Sequence, residues 1–187
     1  MRRNASFIFR LLAVFALANS VMGPMAKADD DEAFERAVKA TFVYKFEPFV
    51  TWPDRAFSSS GSPFNICVLG DDAFGDLVDR AAGGQQAGNR PIKVLRLRSV
   101  SPDDHCQVLY LATGDPQLAH QFLTAVDRDP VLTVTDSVSD GAAKGMINFA
   151  IADNRVRFEI DAEAATRSGL TISSKLLSLA LPARHGP

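Results

Sequence analysis

The chain has little of what catalysis or metal binding usually requires. It contains two cysteines, Cys67 and Cys106, and three histidines, His105, His120 and His185. These show no ligand spacing, and His105 beside Cys106 supplies only two donors, so a zinc-type site is disfavoured. No G-x-G-x-x-G turn follows the first apolar run. Leu69-Gly70-Asp71-Asp72 stands there instead, and its carboxylates would repel a pyrophosphate while suiting a helix start. A phosphoacceptor receiver needs an Asp closing its third strand, and Val108 to Gly114 supplies none. Gly-x-Ser-x-Gly is absent too. Ser173-Ser174-Lys175 resembles a Ser/Lys pair only loosely, and helix capping accounts for its serines. His120 falls in a helical stretch, where it reads as a surface or boundary residue, and Asp103-Asp104 reads as a solvated loop pair. These absences point away from an enzyme, and no cofactor is expected. There is no internal repeat and no low-complexity segment.

No stretch beyond the amino terminus is long and apolar enough to span a bilayer. The terminus itself reads as a secretory signal. Arg2, Arg3 and Arg10 give a positive start, Leu11 to Val21 is a short apolar core, and Ala26-Lys27-Ala28 fits the small-x-small cleavage rule. An uncleaved anchor is the alternative. No lipobox cysteine lies near the site. Cleavage after Ala28 leaves 159 residues, enough for one domain with a full core, so residues 29–187 are expected to fold as a single α/β domain. It also removes four of the 20 cationic residues and none of the 22 acidic ones, moving the net charge from −2 to near −6. That balance disfavours nucleic acid and anionic membrane surfaces as partners. In an oxidising compartment the two cysteines are most simply one disulfide, with two buried free thiols as the alternative. Cys67 falls in the first core strand and Cys106 at the start of the third, so adjacent strands would bring them together.

The rhythm of the chain is α/β. Phe34, Val38, Phe42 and Phe46 recur at helical spacing within Asp30 to Phe49, and Pro48 and Pro53 end that helix. Strands are expected at Phe64–Leu69, Ile92–Leu97, Val108–Ala112 and Val131–Thr135, and helices at Asp72–Ala82 and Pro116–Val126. Lys93 and Arg96 within Ile92–Leu97 suit a sheet edge. The unbroken apolar run at Val108–Ala112 suits a strand buried on both faces. Ser137 to Lys144 reads as a loop. The expected architecture is a three-layer α/β/α sandwich with a mainly parallel sheet of about six strands and a C-terminal antiparallel hairpin.

That hairpin lies in the most informative tract, GMINFAIADNRVRFEIDAEAATRSGLTISSKLL from Gly145 to Leu177. Ile147, Phe149 and Ile151 alternate along one strand, and Val156, Phe158 and Ile160 along the next. Asp153-Asn154 between them tolerates the positive φ of a tight turn. Arg155, Arg157 and Glu159 occupy the opposite face. A short helix stops at Ser168-Gly169, and a serine N-caps a last helix opened by Ile172-Ser173-Ser174-Lys175.

The tract resembles the C-terminal signature of the YfiR family of periplasmic regulators, whose members carry close versions of GMINF, of the RVRFEI strand and of the SGL-x-ISSKLL close. VKATFVYKFEPFVTWP (Val38 to Pro53) resembles the family's first helix and its Trp-Pro exit, and FNICVLGDDAFGD (Phe64 to Asp76) its first core strand and turn. The resemblance runs from about Val38 to Leu181. It implies a periplasmic, non-catalytic protein that binds the sensor domain of an inner-membrane diguanylate cyclase and holds it inactive. An OmpA-like outer-membrane lipoprotein would relieve the block. A homodimer stays open, and neither nucleic acid nor direct membrane insertion is implied. The family's matching cysteines also look paired, and the extra cysteines that some relatives carry near the hairpin are absent here. Candidate contact residues are Trp52 and Arg55 at the Trp-Pro exit, Arg157 and Glu159 on the charged hairpin face, and Ser173 and Lys175 at the last helix. Core packing is the alternative for the aromatic cluster Phe42, Phe46, Phe49 and Trp52, and a solvated sheet face for the charged group. A periplasmic small-molecule or redox sensor feeding another membrane protein is the competing reading of function.

Overall fold

The computed structural model describes residues 25–70, 74–136 and 143–182. The expected secretory signal lies outside the described residues up to position 24, as do residues 137–142 of the expected loop. The chain divides after Ala33 into two units, and the second, Phe34–Pro187, holds every strand.

Helix α1 spans Met25–Lys45. It stops short of the expected Phe49, because Pro48 has no N–H and its ring would meet the carbonyl of Tyr44 if the helix continued. The chain tightens instead into a 3-10 turn at Glu47–Phe49. Beyond it come β1 (Val50–Thr51), β2 (Phe64–Gly70), α2 (Leu77–Ala82), β3 (Gln86–Ala87), β4 (Arg90–Leu97) and β5 (Val108–Ala112). Helix α3 (Pro116–Ala125), β6 (Leu132–Thr135), β7 (Ile147–Ala152), β8 (Arg155–Ile160), α4 (Ala162–Arg167), β9 (Thr171–Ile172) and α5 (Ser174–Leu177) complete the order. Among the described residues no helix is long and apolar enough to cross a membrane.

The main sheet has the order β3-β4-β2-β5-β6-β7-β8. Strands β4, β2, β5, β6 and β7 run parallel, while β8 is antiparallel to β7 and β3 to β4. The count is seven rather than about six because the two-residue β3 folds back on β4 and is too short to show a periodicity. Strands β1 and β9 form a separate antiparallel pair that was not expected from the sequence either.

Alternation along the parallel strands fills two faces. Ile66, Val68, Val108, Tyr110, Leu132, Val134, Ile147 and Phe149 pack with Ala40 and Val43 of α1, with Phe46 just past its end, and with Ala165 and Leu176 of the C-terminal helices. Cys67, Leu69, Leu109 and Leu111 pack on the other face with Phe122 and Val126, in and just after α3. Helices on both faces of a mainly parallel sheet make the expected α/β arrangement. Phe42 and Phe46 stack at 5.9 Å, and each meets Phe149 and Phe158 with ring centroids 5.3–6.3 Å apart. Burying one such ring contributes about 2–3 kcal/mol. The adjacency of β2 and β5 brings Cys67 and Cys106 to a Cα–Cα distance of 5.8 Å, and they form the disulfide.

Two apolar stripes are buried over only part of their expected length. Phe34 is 72% exposed and Ile151 is 50% exposed. Both lie beyond the aromatic layer built by Phe42, Phe46, Phe149 and Phe158. The hairpin turn itself is as expected, with Asp153 and Asn154 at φ 50° and 56°, the paired positive values of a type I′ turn.

Candidate functional site

The short β1–β9 pair builds a corner where the exit of α1 meets the start of α5. Val50 pairs with Ile172 and Thr51 with Thr171, and Ser173 N donates to Phe49 O at 2.8 Å. Four of the six candidate contact residues gather here. Trp52 sets its indole edge-on to Phe64, with centroids 5.0 Å apart and planes at 90°. Its Nε1–H donates to the carbonyl of Gln107 at 3.1 Å. Arg55 donates from Nη2 to the carbonyl of Ser168 at 3.2 Å. Ser168 is the C-cap of α4, so the guanidinium meets the negative end of that helix. Gly169 follows at φ 81°, and a Cβ there would sit 2.6 Å from Arg55 Nη2. Glycine suits the left-handed cap, and a side chain there would also push the guanidinium aside.

Ser173 N-caps α5, its hydroxyl accepting from Leu176 N at 3.3 Å. Lys175 is exposed and lies 5.7 Å from the centroid of Phe49, a cation–π distance. Beyond it, Leu177 is 39% and Leu179 53% exposed, beside the buried Leu176. The corner thus presents a lysine and two leucines to solvent.

Arg157 and Glu159 are placed elsewhere. Both alternate with Phe158, which packs into the α1-side core, so both project from the opposite face of the sheet. Trp52 and Phe49 pack against that same α1-side core. The charged hairpin face and the Trp52–Lys175 corner therefore lie on opposite faces of the sheet. Arg157 is exposed and stands opposite Ala150, while Glu159 stands opposite Asn148. The Glu159 carboxylate accepts from Lys144 Nζ at 2.8 Å.

Sequence reasoning missed three positioning groups. Gln107 is 1% exposed, with Oε1 accepting from Asn65 N at 2.7 Å and Nε2 donating to Ala56 O at 2.5 Å. It ties the turn that bears Arg55 to the sheet, while its own carbonyl holds Trp52. Lys144 is the partner of Glu159. Lys39, 6% exposed on α1, donates to Asp136 Oδ2 at 2.7 Å and pairs with Glu35. Burial alone would lower the Lys39 pKa, but hydrogen bonds and charges from Asp136 and Glu35 outweigh it and hold the ammonium above its ordinary value. The only signal for Gln107 was a polar residue entering an apolar strand.

A cleft of about 250 Å³ opens beside the disulfide, with Arg55, Val100, His105, Cys106, Asp129 and Val131 among its walls. Among the described residues no group of three or more His, Cys, Asp or Glu side chains is arranged to hold a metal ion.

A family model described as YfiR/HmsC-like matches residues 36–181. The matched span takes in the α1 exit, the whole main sheet, the β1–β9 corner and the bridge from Leu181 to β8.

Proposed function

The chain belongs to the YfiR/HmsC-like family, which implies a periplasmic regulator in diguanylate cyclase signalling, and from that premise we propose that it represses an inner-membrane diguanylate cyclase by binding the enzyme's periplasmic sensor domain. In this reading the protein has no catalytic activity of its own. Its work is differential affinity: it binds the inactive state of the sensor more tightly than the active one, the only way a bound protein shifts an equilibrium. Near-complete silencing requires several kcal/mol of preference between the two states.

The observation that carries the proposal is the family match, running from Arg36 in α1 through the corner to Leu181. The corner suits a docking role because exposed Leu177 and Leu179 follow Lys175, whose ammonium lies near the Phe49 ring. Apolar area beside an anchored aromatic and a cation is the composition of a binding surface. Arg157 and Glu159 form a second, separate contact candidate on the other face. An OmpA-like lipoprotein that relieves repression is the corresponding antagonist, and cleavage after Ala28 delivers the protein to the periplasm.

The test is genetic. Deleting the gene should raise cyclic di-GMP and biofilm formation, and a copy carrying Leu177→Asp and Leu179→Asp should fail to restore repression although it is exported at normal level. Unchanged cyclic di-GMP in the deletion strain, with the cognate cyclase present, refutes repression.

A second reading has one observation in its favour. The cleft beside Cys106 combines Arg55 and His105 with an apolar floor next to the disulfide, as a sensor of a small ligand or of redox state would. It predicts a ligand-dependent rise in Tm and no stable capture of a cyclase.

A further inference from the structure

Strand β4 is the last full-length strand on its side of the main sheet, and its outer side is scarcely covered. Strand β3 pairs with it only at Gln86↔Pro91 and Ala87↔Arg90, with a further bond from Ile92 N to Gln85 O at 3.5 Å. The inner side is paired with β2 along the whole of Ile92–Leu97. Among the described residues no strand pairs with the outer side over that stretch. Bonding direction alternates along a parallel strand, so the outward amide of Ile92 implies that Val94 also turns its N–H and C=O outward. The strand is held in place from both faces. Ile92 and Val94 pack against the α1-side core, and Leu95 and Leu97 against the α3-side core.

This open edge is basic within an acidic protein. From Arg90 to Arg98 the sequence RPIKVLRLR contains four cations and no acid, while the whole chain carries −2. Arg90 lies over the Phe57 ring at 3.9 Å and donates to the Ser59 and Ser62 carbonyls, so its charge is not neutralised there. Arg96 pairs with Asp79, whose carboxyl it holds below the ordinary value mainly through their hydrogen bond. Lys93 and Arg98 are exposed, with no ion pair among the described residues. A second copy approaching this edge would bring the same four cations against it, and like charges across a strand pair are unfavourable. The edge therefore repels its own kind while remaining suited to a strand of opposite charge.

We propose that the outer edge of β4, Ile92–Leu97, is a docking edge for an extended acidic segment of a partner protein. The segment adds to the sheet as a further strand, bonding to the backbone at Val94 and setting carboxylates against Lys93, with Arg98 just past the strand's end adding to the positive field. In the sheet order this edge is at the opposite end from β8 and its Arg157/Glu159 face. It is thus free to be occupied while the Arg157/Glu159 face is engaged, and it does not depend on the identity of that partner.

The experiment uses the isotope-labelled secreted chain and the acetylated, amidated hexapeptide Val-Glu-Val-Glu-Val-Glu. Expected are NMR shifts concentrated in β3 and β4 and slowed hydrogen exchange at the Val94 amide. The double variant Lys93→Glu, Arg98→Glu should bind about tenfold more weakly, since two exposed charge pairs are lost. Its unchanged Tm would show that the fold is kept. A Val-Lys peptide, and a Val-Glu peptide N-methylated along one edge, should both fail to bind. Shifts scattered over the whole surface, equal binding by either control peptide, or no binding at millimolar peptide each overturns the proposal. So does a β4-to-β4 dimer of the chain alone in sedimentation, because the edge would then have its own copy as occupant.

Discussion

Replacing Gln107 with leucine tests whether the candidate corner is held from below. The side chain bonds to two backbone groups at once, accepting from Asn65 N and donating to Ala56 O. Leucine fills nearly the same volume, so a cavity contributes little and the loss is almost purely polar. Each backbone group left unpaired in a buried place costs about 1–3 kcal/mol, so the pair should cost about 3 kcal/mol. For a chain of this size that lowers Tm by roughly 6–12 °C. The perturbation has a local reporter, because Trp52 is the sole tryptophan and its indole bonds to the Gln107 carbonyl. Urea unfolding followed by tryptophan emission and by far-ultraviolet circular dichroism would give the stability, and native-state emission would report on the corner. The expected result is the stated loss, with a red-shifted native emission as the turn bearing Arg55 loosens. A loss below about 1 kcal/mol together with unmoved emission would refute the claim that Gln107 is the clamp.

Three further outcomes follow from the same geometry. Reducing the Cys67–Cys106 bond, or replacing both cysteines with alanine, should cost about 4 kcal/mol, the loop-closure value for a separation of 39 residues; calorimetry with and without reductant measures it. Lys39→Met should cost about 2 kcal/mol, below the usual loss for a broken buried pair because Asp136 and Glu35 are partly hydrated. Since the folded lysine titrates above its ordinary 10.5, the wild-type advantage should hold at neutral pH and vanish as pH rises through the folded value. That is read from urea midpoints between about pH 9 and pH 12. Glu47 has the opposite lesson: burial raises its pKa above the ordinary 4.5, so the folded state favours its neutral form. Glu47→Gln should stabilise the protein at pH 7 and give no gain below the ordinary value, and a gain that persists at pH 3 would contradict the assignment.

The parallel core was legible because its signals are local and repeated. Val108–Ala112 reads as a strand buried on both faces, and all five residues are buried between α1 and α3. Asp153-Asn154 announces its turn by chemistry alone. Short pairings were not legible: Val50–Thr51 with Thr171–Ile172, and Gln86–Ala87 with Arg90–Pro91, span two residues each and depend on distant partners. A two-residue strand has no period to detect. The extent of burial failed for a related reason. Phe34 and Ile151 continue their apolar stripes in sequence, but whether anything covers them depends on where the facing element ends. The candidate residues were individually plausible, yet alternation along one strand could not show that Trp52 and Glu159 serve opposite faces. Gln107 and Lys144 carried no sequence motif at all.

The two groups of candidates, though on different faces, share one stretch of backbone. Past α5 the chain turns back to the sheet, and Leu181 N donates to Phe158 O at 2.8 Å, making a single parallel bridge beside Glu159. The segment from Ser173 to Leu181 therefore starts by capping α5 at the corner and ends clamped to the edge strand that bears Arg157 and Glu159. Its anchors at either end are few: the Ser173–Phe49 bond with the β1–β9 pair on one side, the Leu181–Phe158 bond on the other. Between them Leu176 is buried in the α1-side core, with Ala180 packed against it, while Leu177 and Leu179 are exposed. A partner that gripped those leucines would bear on both anchors. Coupling between the two faces then requires no rearrangement of the disulfide-stapled core, only a small displacement of a segment tied at its two ends.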